Sequence, residues 1–257
     1  VKNHWLLHWR PLPDPALRMI CFPYAGGGAS LYRPWAETLP DEVGLCAVQP
    51  PGRQSRFSEP AFTSLTSMLP SLMNALAPLL DRPYVTFGHS LGGLTSFELV
   101  RHLRANGLRL PDLMIVSGCR GPRVPSRDRH IHDLPTTEFR AAIKELNGTP
   151  GEVLENELLL ELIEPALRAD IAMSERYVYR HEPPLPMRLS VFYGTGDEAM
   201  TRADAEAWRQ ETTGAFVLRE LPGDHFFIHS AEADLLRAVL RDITPLLYTR
   251  SDQPLDR

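Results

Sequence analysis

Residues 87–94 read FGHSLGGL, and within them Gly88-His89-Ser90-Leu91-Gly92 fits G-x-S-x-G. That pattern places a serine hydroxyl on a strained turn when a strand precedes it and a helix follows. Elsewhere it is an ordinary Gly/Ser turn. Three fixed positions are weak by themselves: with Gly at about 7% of residues, a chance match in a chain this long is roughly a one in ten event. A serine is also a poor nucleophile without a base, and the base needs an orienting carboxylate. After a strand-to-helix serine the partners follow in the order acid, then histidine.

Five histidines lie well after Ser90: His130, His132, His181, His225 and His229. His225 sits in LPGDHFF, a loop between a β-prone run and the last helical pattern, where a base can project over strand ends. His229 is its competitor, read as a packed or solvated residue at a helix start. His89 adjoins the nucleophile, and its position suits shaping the turn. The acid is expected where VFYGTGD ends a strand in a Gly-rich turn, at Asp197, with Glu198, Asp204 and Asp224 as alternatives. Asp197 also has a plain reading as a turn or helix-capping aspartate.

An oxyanion needs two backbone donors. One is expected from the N–H of Leu91, directly after the nucleophile. The other is expected from the early loop FPYAGGGA, at Ala25, with Tyr24 as the register-shifted alternative. A phosphate-binding reading of the three glycines fails, because no Gly-Lys-Ser/Thr follows and G-x-G-x-x-G is absent.

The elements that must carry these residues are legible as alternating runs. Apolar runs at 19–22, 43–48, 84–87, 113–116, 189–193 and 216–218 lack a clean polar alternation, as strands covered on both faces do. Helical periodicity occupies 31–39, 65–80, 91–105, 203–211 and 231–247. Strand and helix in turn predict an α/β fold with a mostly parallel central sheet flanked by helices. Residues 1–119 and 187–257 make this core. Residues 120–186 hold no convincing strand. They open with CRGPRVPSRDRH, continue with helical patterns at 136–146, 152–162 and 164–179, and close with HEPPLP. We read this stretch as a helical insertion over the site, a lid or binding wall, against the plainer reading of a subdomain that covers a sheet end.

Bulk composition bounds the function. The chain has 257 residues, a net charge of −5 and 23% charged residues, which argues against nucleic acid as a partner. No apolar run approaches a membrane span, and the first residues lack the core and cleavage site of a signal peptide. The three cysteines, Cys21, Cys46 and Cys119, lack metal-ligand spacing and read as buried reduced thiols, so a cytoplasmic location is expected. Neither a metal nor a bound cofactor is expected.

With these pieces in place the chain resembles the α/β-hydrolase family and, more narrowly, the type II thioesterases of non-ribosomal peptide and polyketide synthesis. The resemblance rests on CFPYAGGGASLYRPWAETLP, VQPPGRQSRF, FGHSLGGLTSFEL, FYGTGDEAMTRADAEAWRQET and LPGDHFFI, in that order from Cys21 to Ile228. That family often has Met after the nucleophile, where this chain has Leu91; either supplies a backbone N–H. Its acid turn often continues Asp-Pro, whereas Asp197 is followed by Glu198-Ala199, which keeps Glu198 open.

The resemblance implies an acyl thioester substrate on the phosphopantetheine arm of an acyl or peptidyl carrier protein, cleared when stalled or aberrant; a monomer is expected. Carrier proteins are usually acidic, so docking on this net-negative chain calls for a local basic patch. Arg53 and Arg56, and Arg123 and Arg127 at the insertion's entrance, are the candidates, against a reading as scattered solvated charges. The rival functions are a product-releasing or cyclising thioesterase, a medium-chain acyl-carrier-protein thioesterase, a general esterase and an inactive hydrolase-fold binding protein. A chain of this length without an attached carrier domain favours editing.

Overall fold

Strand β2 (Leu17–Phe22) shows how this sequence builds its sheet. Leu17, Met19 and Cys21 point into one apolar layer, and Ile20 and Phe22 into the layer on the opposite face. A strand with apolar residues on both parities must be covered on both faces. Strands β3 (Val43–Val48), β4 (Tyr84–His89) and β5 (Leu113–Ser117) are likewise buried at every position. They join β1 (Leu6–Arg10), β6 (Arg188–Gly194) and β7 (Phe216–Leu221) in the computed structural model, which describes residues 3–127, 129–146 and 155–248.

The seven strands run in the order β1-β3-β2-β4-β5-β6-β7, with β1 antiparallel to β3 and all other pairs parallel. The sheet grows one way from β2 to β3, then the other way from β4 onward. That reversal puts the carboxyl ends of β2 and β4 side by side at a switch point, where open α/β sheets bind ligands. In register, Phe22 faces Gly88, His89 faces Ser117, Ser117 faces Phe192, and Gly194 faces Leu221. The loops after β2, β4, β6 and β7 therefore emerge along one edge.

Helices α2 (Leu65–Leu76) and α3 (Leu91–Ala105) pack on one face of the sheet. A 3₁₀ turn (Ala29–Tyr32), the single turn α1 (Trp35–Thr38) and the C-terminal helix cover the other. Between β5 and β6 lie α4 (Thr136–Glu145) and α5 (Glu157–Glu175), which share a small core of Ile131, Phe139, Ile143, Leu167 and Ile171. After β6 come α6 (Arg202–Glu206), α7 (Phe227–Ser230) and α8 (Glu232–Tyr248). Among the described residues no helix is long and apolar enough to cross a membrane.

The sequence expectations need correction in five places, one of them the pattern at 203–211, which divides into α6 and a 3₁₀ turn at Ala207–Glu211. The helical pattern at 31–39 is broken into the 3₁₀ turn and α1, because Pro34 has no N–H to continue the turn before it. The pattern at 65–80 ends as α2 at Leu76, followed by a 3₁₀ turn that contains Pro78. The patterns at 152–162 and 164–179 form one helix from Glu157 to Glu175 with Pro165 inside it; residues 152–154 lie outside the described residues. Asn156 caps this helix, its side-chain oxygen accepting from the N–H groups of Leu158 and Leu159. Strand β1, half exposed and on the sheet edge, was not expected: LLHWR shows only a partial alternation.

Candidate active site

Ser90 sits between β4 and α3 with φ 53° and ψ −120°, a left-handed conformation rare for a residue with a Cβ. Its neighbours explain how the chain tolerates this. A Cβ on Gly88 would stand 2.2 Å from the carbonyl oxygen of Gly92, and one on Gly92 would stand 2.1 Å from that of Phe22. Only glycines allow so tight a turn. The Ser90 N–H donates to the Ser117 carbonyl at 2.8 Å, which ties the turn to β5.

The Ser90 hydroxyl lies 3.1 Å from Nε2 of His225, and Nδ1 of His225 lies 2.7 Å from Oδ2 of Asp197. The carboxylate only accepts, so Nδ1 carries the proton and Nε2 offers its lone pair to the Ser90 O–H. That is the tautomer a general base requires. Asp197 is buried, and its other oxygen accepts the Ala199 N–H at 2.9 Å, which fixes the carboxylate plane. Glu198 is exposed. Asp204 is occupied in a capping box with Thr201, and Asp224 accepts from the Phe226 N–H. Asp204 and Asp224 thus have other work. His229, the competing base, shares a 2.9 Å hydrogen bond with the Tyr24 hydroxyl instead.

His89 is fully buried and shapes the site as its chain position suggests. Its Nε2 faces the backbone carbonyl of His225 at 2.9 Å, so Nε2 is the donor, and Nδ1 accepts from the Ser117 hydroxyl at 2.9 Å. Burial, with the neighbouring His225 second, holds its pKa well below the usual imidazole value, so the ring is neutral. It thereby braces the His225 loop against the nucleophile's strand. Gly118, at φ 55°, leaves room for that ring: a Cβ there would lie 2.6 Å from it.

The glycine-rich loop begins at Pro23, beside Gly88. Its first turn is closed by a 2.9 Å bond from the Gly27 N–H to the Tyr24 carbonyl. Gly92 packs on Phe22 and Pro23, and Pro23, Tyr24 and Leu91 line one narrow cavity with Thr95 and Met173. Leu91 is the first residue of α3, so its N–H has no intrahelical acceptor and the helix dipole is positive there. Ala25 is half-buried in the loop opposite.

The four arginines expected at a docking surface separate. Arg53 and Arg56 are buried. Arg53 forks onto Asp170 of α5, and Arg56 pairs with Glu59 and lies 4.2 Å over the Trp5 ring. Both have internal partners because the PPGR turn folds inward. Arg123 pairs with Glu211 at 2.5 Å, over Tyr179. Arg127 bonds Asp204 at 2.7 Å but leaves 63% of its side chain exposed. Asp170 was not singled out from sequence. Its signal is a lone acid on the apolar stripe that includes Leu167 and Ile171, where a charge must find a partner.

Burial pushes the Cys46 and Cys119 thiols up to about 12 and Cys21 well above its usual value, and all three are free. They carry no thiolate near neutral pH and take no part in this centre.

A mostly parallel sheet reversed at β2, with a strained serine at the end of β4 and its histidine after the last strand, defines an α/β-hydrolase. The family model for the Thioesterase domain matches residues 18–247, and the chain belongs to that family, a serine hydrolase acting on thioesters. It is 42% identical over 92% of its length to a Brevibacillus parabrevis protein named linear gramicidin dehydrogenase LgrE, covering 91% of that protein. It is 35% identical to thioesterase PikA5 of Streptomyces venezuelae, over 96% of this chain and 86% of that one. The solved type II thioesterase BorB from the borrelidin biosynthetic cluster superposes with a TM-score of 0.84 at 32% identity, covering 92% of this chain and 96% of BorB.

Proposed function

We propose that the chain is an editing thioesterase that hydrolyses acyl thioesters on the phosphopantetheine arm of carrier proteins, in the cytoplasm, during non-ribosomal peptide or polyketide synthesis. The observation that carries the reading is the continuous line from Asp197 through His225 to Ser90, at 2.7 and 3.1 Å. A relative named for linear gramicidin and the type II thioesterase from the borrelidin biosynthetic cluster support the setting.

In this reading the Ser90 oxygen attacks the thioester carbonyl carbon while His225 Nε2 takes its proton. Asp197 steadies the imidazolium, and the N–H groups of Ala25 and Leu91 stabilise the oxyanion. Collapse breaks the carbon–sulfur bond and returns the proton from His225 to the leaving sulfur. The departing thiol has a pKa of about 8.5, far below that of an amine, so it leaves with little acid assistance. Water then attacks the acyl-Ser90 ester with His225 as base, releasing the acid and regenerating the hydroxyl. For an acidic carrier domain the exposed Arg127 is the candidate contact among the four arginines. Arg53, Arg56 and Arg123 are engaged internally.

Intact-mass analysis with a panel of acyl-carrier proteins tests this. Acylation of the wild-type chain on Ser90, absent in Ser90→Ala, supports the mechanism; an adduct persisting on Ser90→Ala overturns it. Broad removal of short or aberrant acyl groups supports editing. Selective removal of one elaborate chain makes the enzyme a product-releasing thioesterase instead.

A further inference from the structure

Three consecutive glycines form a backbone that cannot hold its own shape, since glycine loses more conformational freedom on ordering than any other residue. Yet the loop Gly26-Gly27-Gly28 directly follows Ala25, whose N–H must point at a developing charge with little tolerance. The Gly27 N–H holds the Tyr24 carbonyl and so the peptide plane on one side of Ala25, and the plane on its other side is fixed from outside the loop. The Gly26 N–H, at φ 79°, donates to Oδ2 of Asp170 at 2.7 Å. That N–H shares a peptide plane with the Ala25 carbonyl, so anchoring it sets the ψ angle of Ala25. Arg53 holds the same carboxylate with both Nη atoms, Nη2 at 2.8 Å, and donates from Nη1 to the Gly27 carbonyl at 3.3 Å and from Nε to the Pro51 carbonyl at 3.3 Å. Arg53 and Asp170 are 7% and 1% exposed, so the fork is desolvated and directional. The flanking residues of α5 press on the same two loops. A Cβ on Gly26 would lie 2.9 Å from Leu167, and one on Gly52, at φ 85°, 3.4 Å from Ala166.

We propose that Asp170, clamped by Arg53, is a positioning residue for the oxyanion loop, so that the helical insertion completes the catalytic centre as well as covering it. The inference rests on the reading of Ala25 as an oxyanion donor. It assigns a chemical purpose to a carboxylate that touches no substrate. Displacing α5 would release the Gly26 anchor, so the position of the insertion and the competence of the oxyanion loop are linked.

The test compares the full-length wild type with Asp170→Asn and Arg53→Lys, using an acyl-N-acetylcysteamine thioester and an alkyl boronic acid that forms a tetrahedral adduct on serine. Complete loss of an oxyanion donor costs about 10²–10³ in kcat, so a misaimed one is expected to cost about 10–100-fold. KM should stay within about threefold, since the interaction is made in the transition state. The inhibition constant of the boronate should rise by a factor close to the fall in kcat, while the pH profile keeps its shape because His225 and Asp197 are untouched. A folded Asp170→Asn with wild-type kcat, or a kcat loss without weaker boronate binding, overturns the proposal. Should Asp170→Asn not fold, Arg53→Lys, which keeps the charge and loses the fork, is held to the same readouts. Hydrogen exchange on the wild type needs no variant: boronate binding is expected to slow exchange in 165–172 together with 23–29, and protection confined to 23–29 counts against the link. Thioester turnover by Ser90→Ala would instead break the underlying mechanism.

Discussion

The two walls of the site are built by different physics. The nucleophile turn is made by backbone in contact with backbone: Gly88 packs against Gly92 four residues on, Gly92 packs against the Phe22 carbonyl of β2, and together they let Ser90 stand at φ 53°. The glycine-rich loop opposite closes one turn of its own, from the Gly27 N–H to the Tyr24 carbonyl, and takes the rest of its anchoring from outside. It is held by Asp170, 144 residues from Gly26, and by Arg53, itself 117 residues from Asp170. Steric exclusion between backbones is rigid, whereas a hydrogen-bonded anchor on an inserted helix can be released. Under the proposed function, the first wall holds the nucleophile fixed and the second gives the oxyanion donor an aim that depends on α5.

The largest expected effect lies on the rigid wall. Ser90→Ala removes the nucleophile, and a loss of roughly 10⁶ in kcat is expected from single-turnover assays, by analogy with serine hydrolases whose triads act as a unit. Asp197→Asn keeps the shape but no longer compels the Nδ1–H tautomer of His225; a fall of about 10⁴ in kcat with little change in melting temperature is expected. Retention of more than about a tenth of the activity would return Glu198 to consideration as the acid.

The glycines sharpen the contrast directly. In Gly92→Ala the new methyl meets the Phe22 carbonyl at 2.1 Å, a backbone atom that cannot step aside. About 3 kcal/mol of destabilisation is expected, visible as a fall of about 6–12 °C in Tm. In Gly26→Ala the methyl meets the movable end of Leu167, and the left-handed φ dominates, so about 1–2 kcal/mol is expected. Equal penalties would erase the distinction between the two walls.

Acid provides a gentler probe. His89 has a folded pKa held well below its unfolded value of about 6.5, chiefly by burial. The unfolded chain therefore takes up a proton that the folded chain refuses. Its contribution to stability is intact above pH 6.5 and declines as pH falls below it, by up to about 1.4 kcal/mol per pH unit until the folded pKa is reached. Denaturant titrations of the wild type and His89→Gln between pH 7.5 and 5 should show a shallower pH slope in the variant. Parallel slopes would mean that His89 is protonated in the folded state.

The smallest effect is expected at Arg127→Ala. Its 63% exposed side chain contributes less than about 1 kcal/mol through Asp204. Turnover of a small thioester should be unchanged, while KM for a carrier-bound substrate should rise; equal behaviour toward both removes Arg127 from the docking surface.

Much of this was readable before any coordinates. The strand–turn–helix around Ser90, the strand ending at Asp197 and the loop carrying His225 each announce themselves within a dozen residues, because turn glycines and apolar runs are local signals. Arg53 and strand β1 depend on partners far away in the sequence. Arg53 in an exposed-looking PPGR turn resembles a docking charge, because nothing near it in the sequence shows Asp170. Strand β1 escaped notice because a half-exposed edge strand is specified mainly by its partner, β3. Short-range sterics dictate where a serine can be held in a strained turn, so FGHSLGGL between strand and helix already implied the strained turn at Ser90. The aim of the glycine loop depends on two buried charges that acquire meaning only on meeting, and burial and pairing are properties of the folded chain.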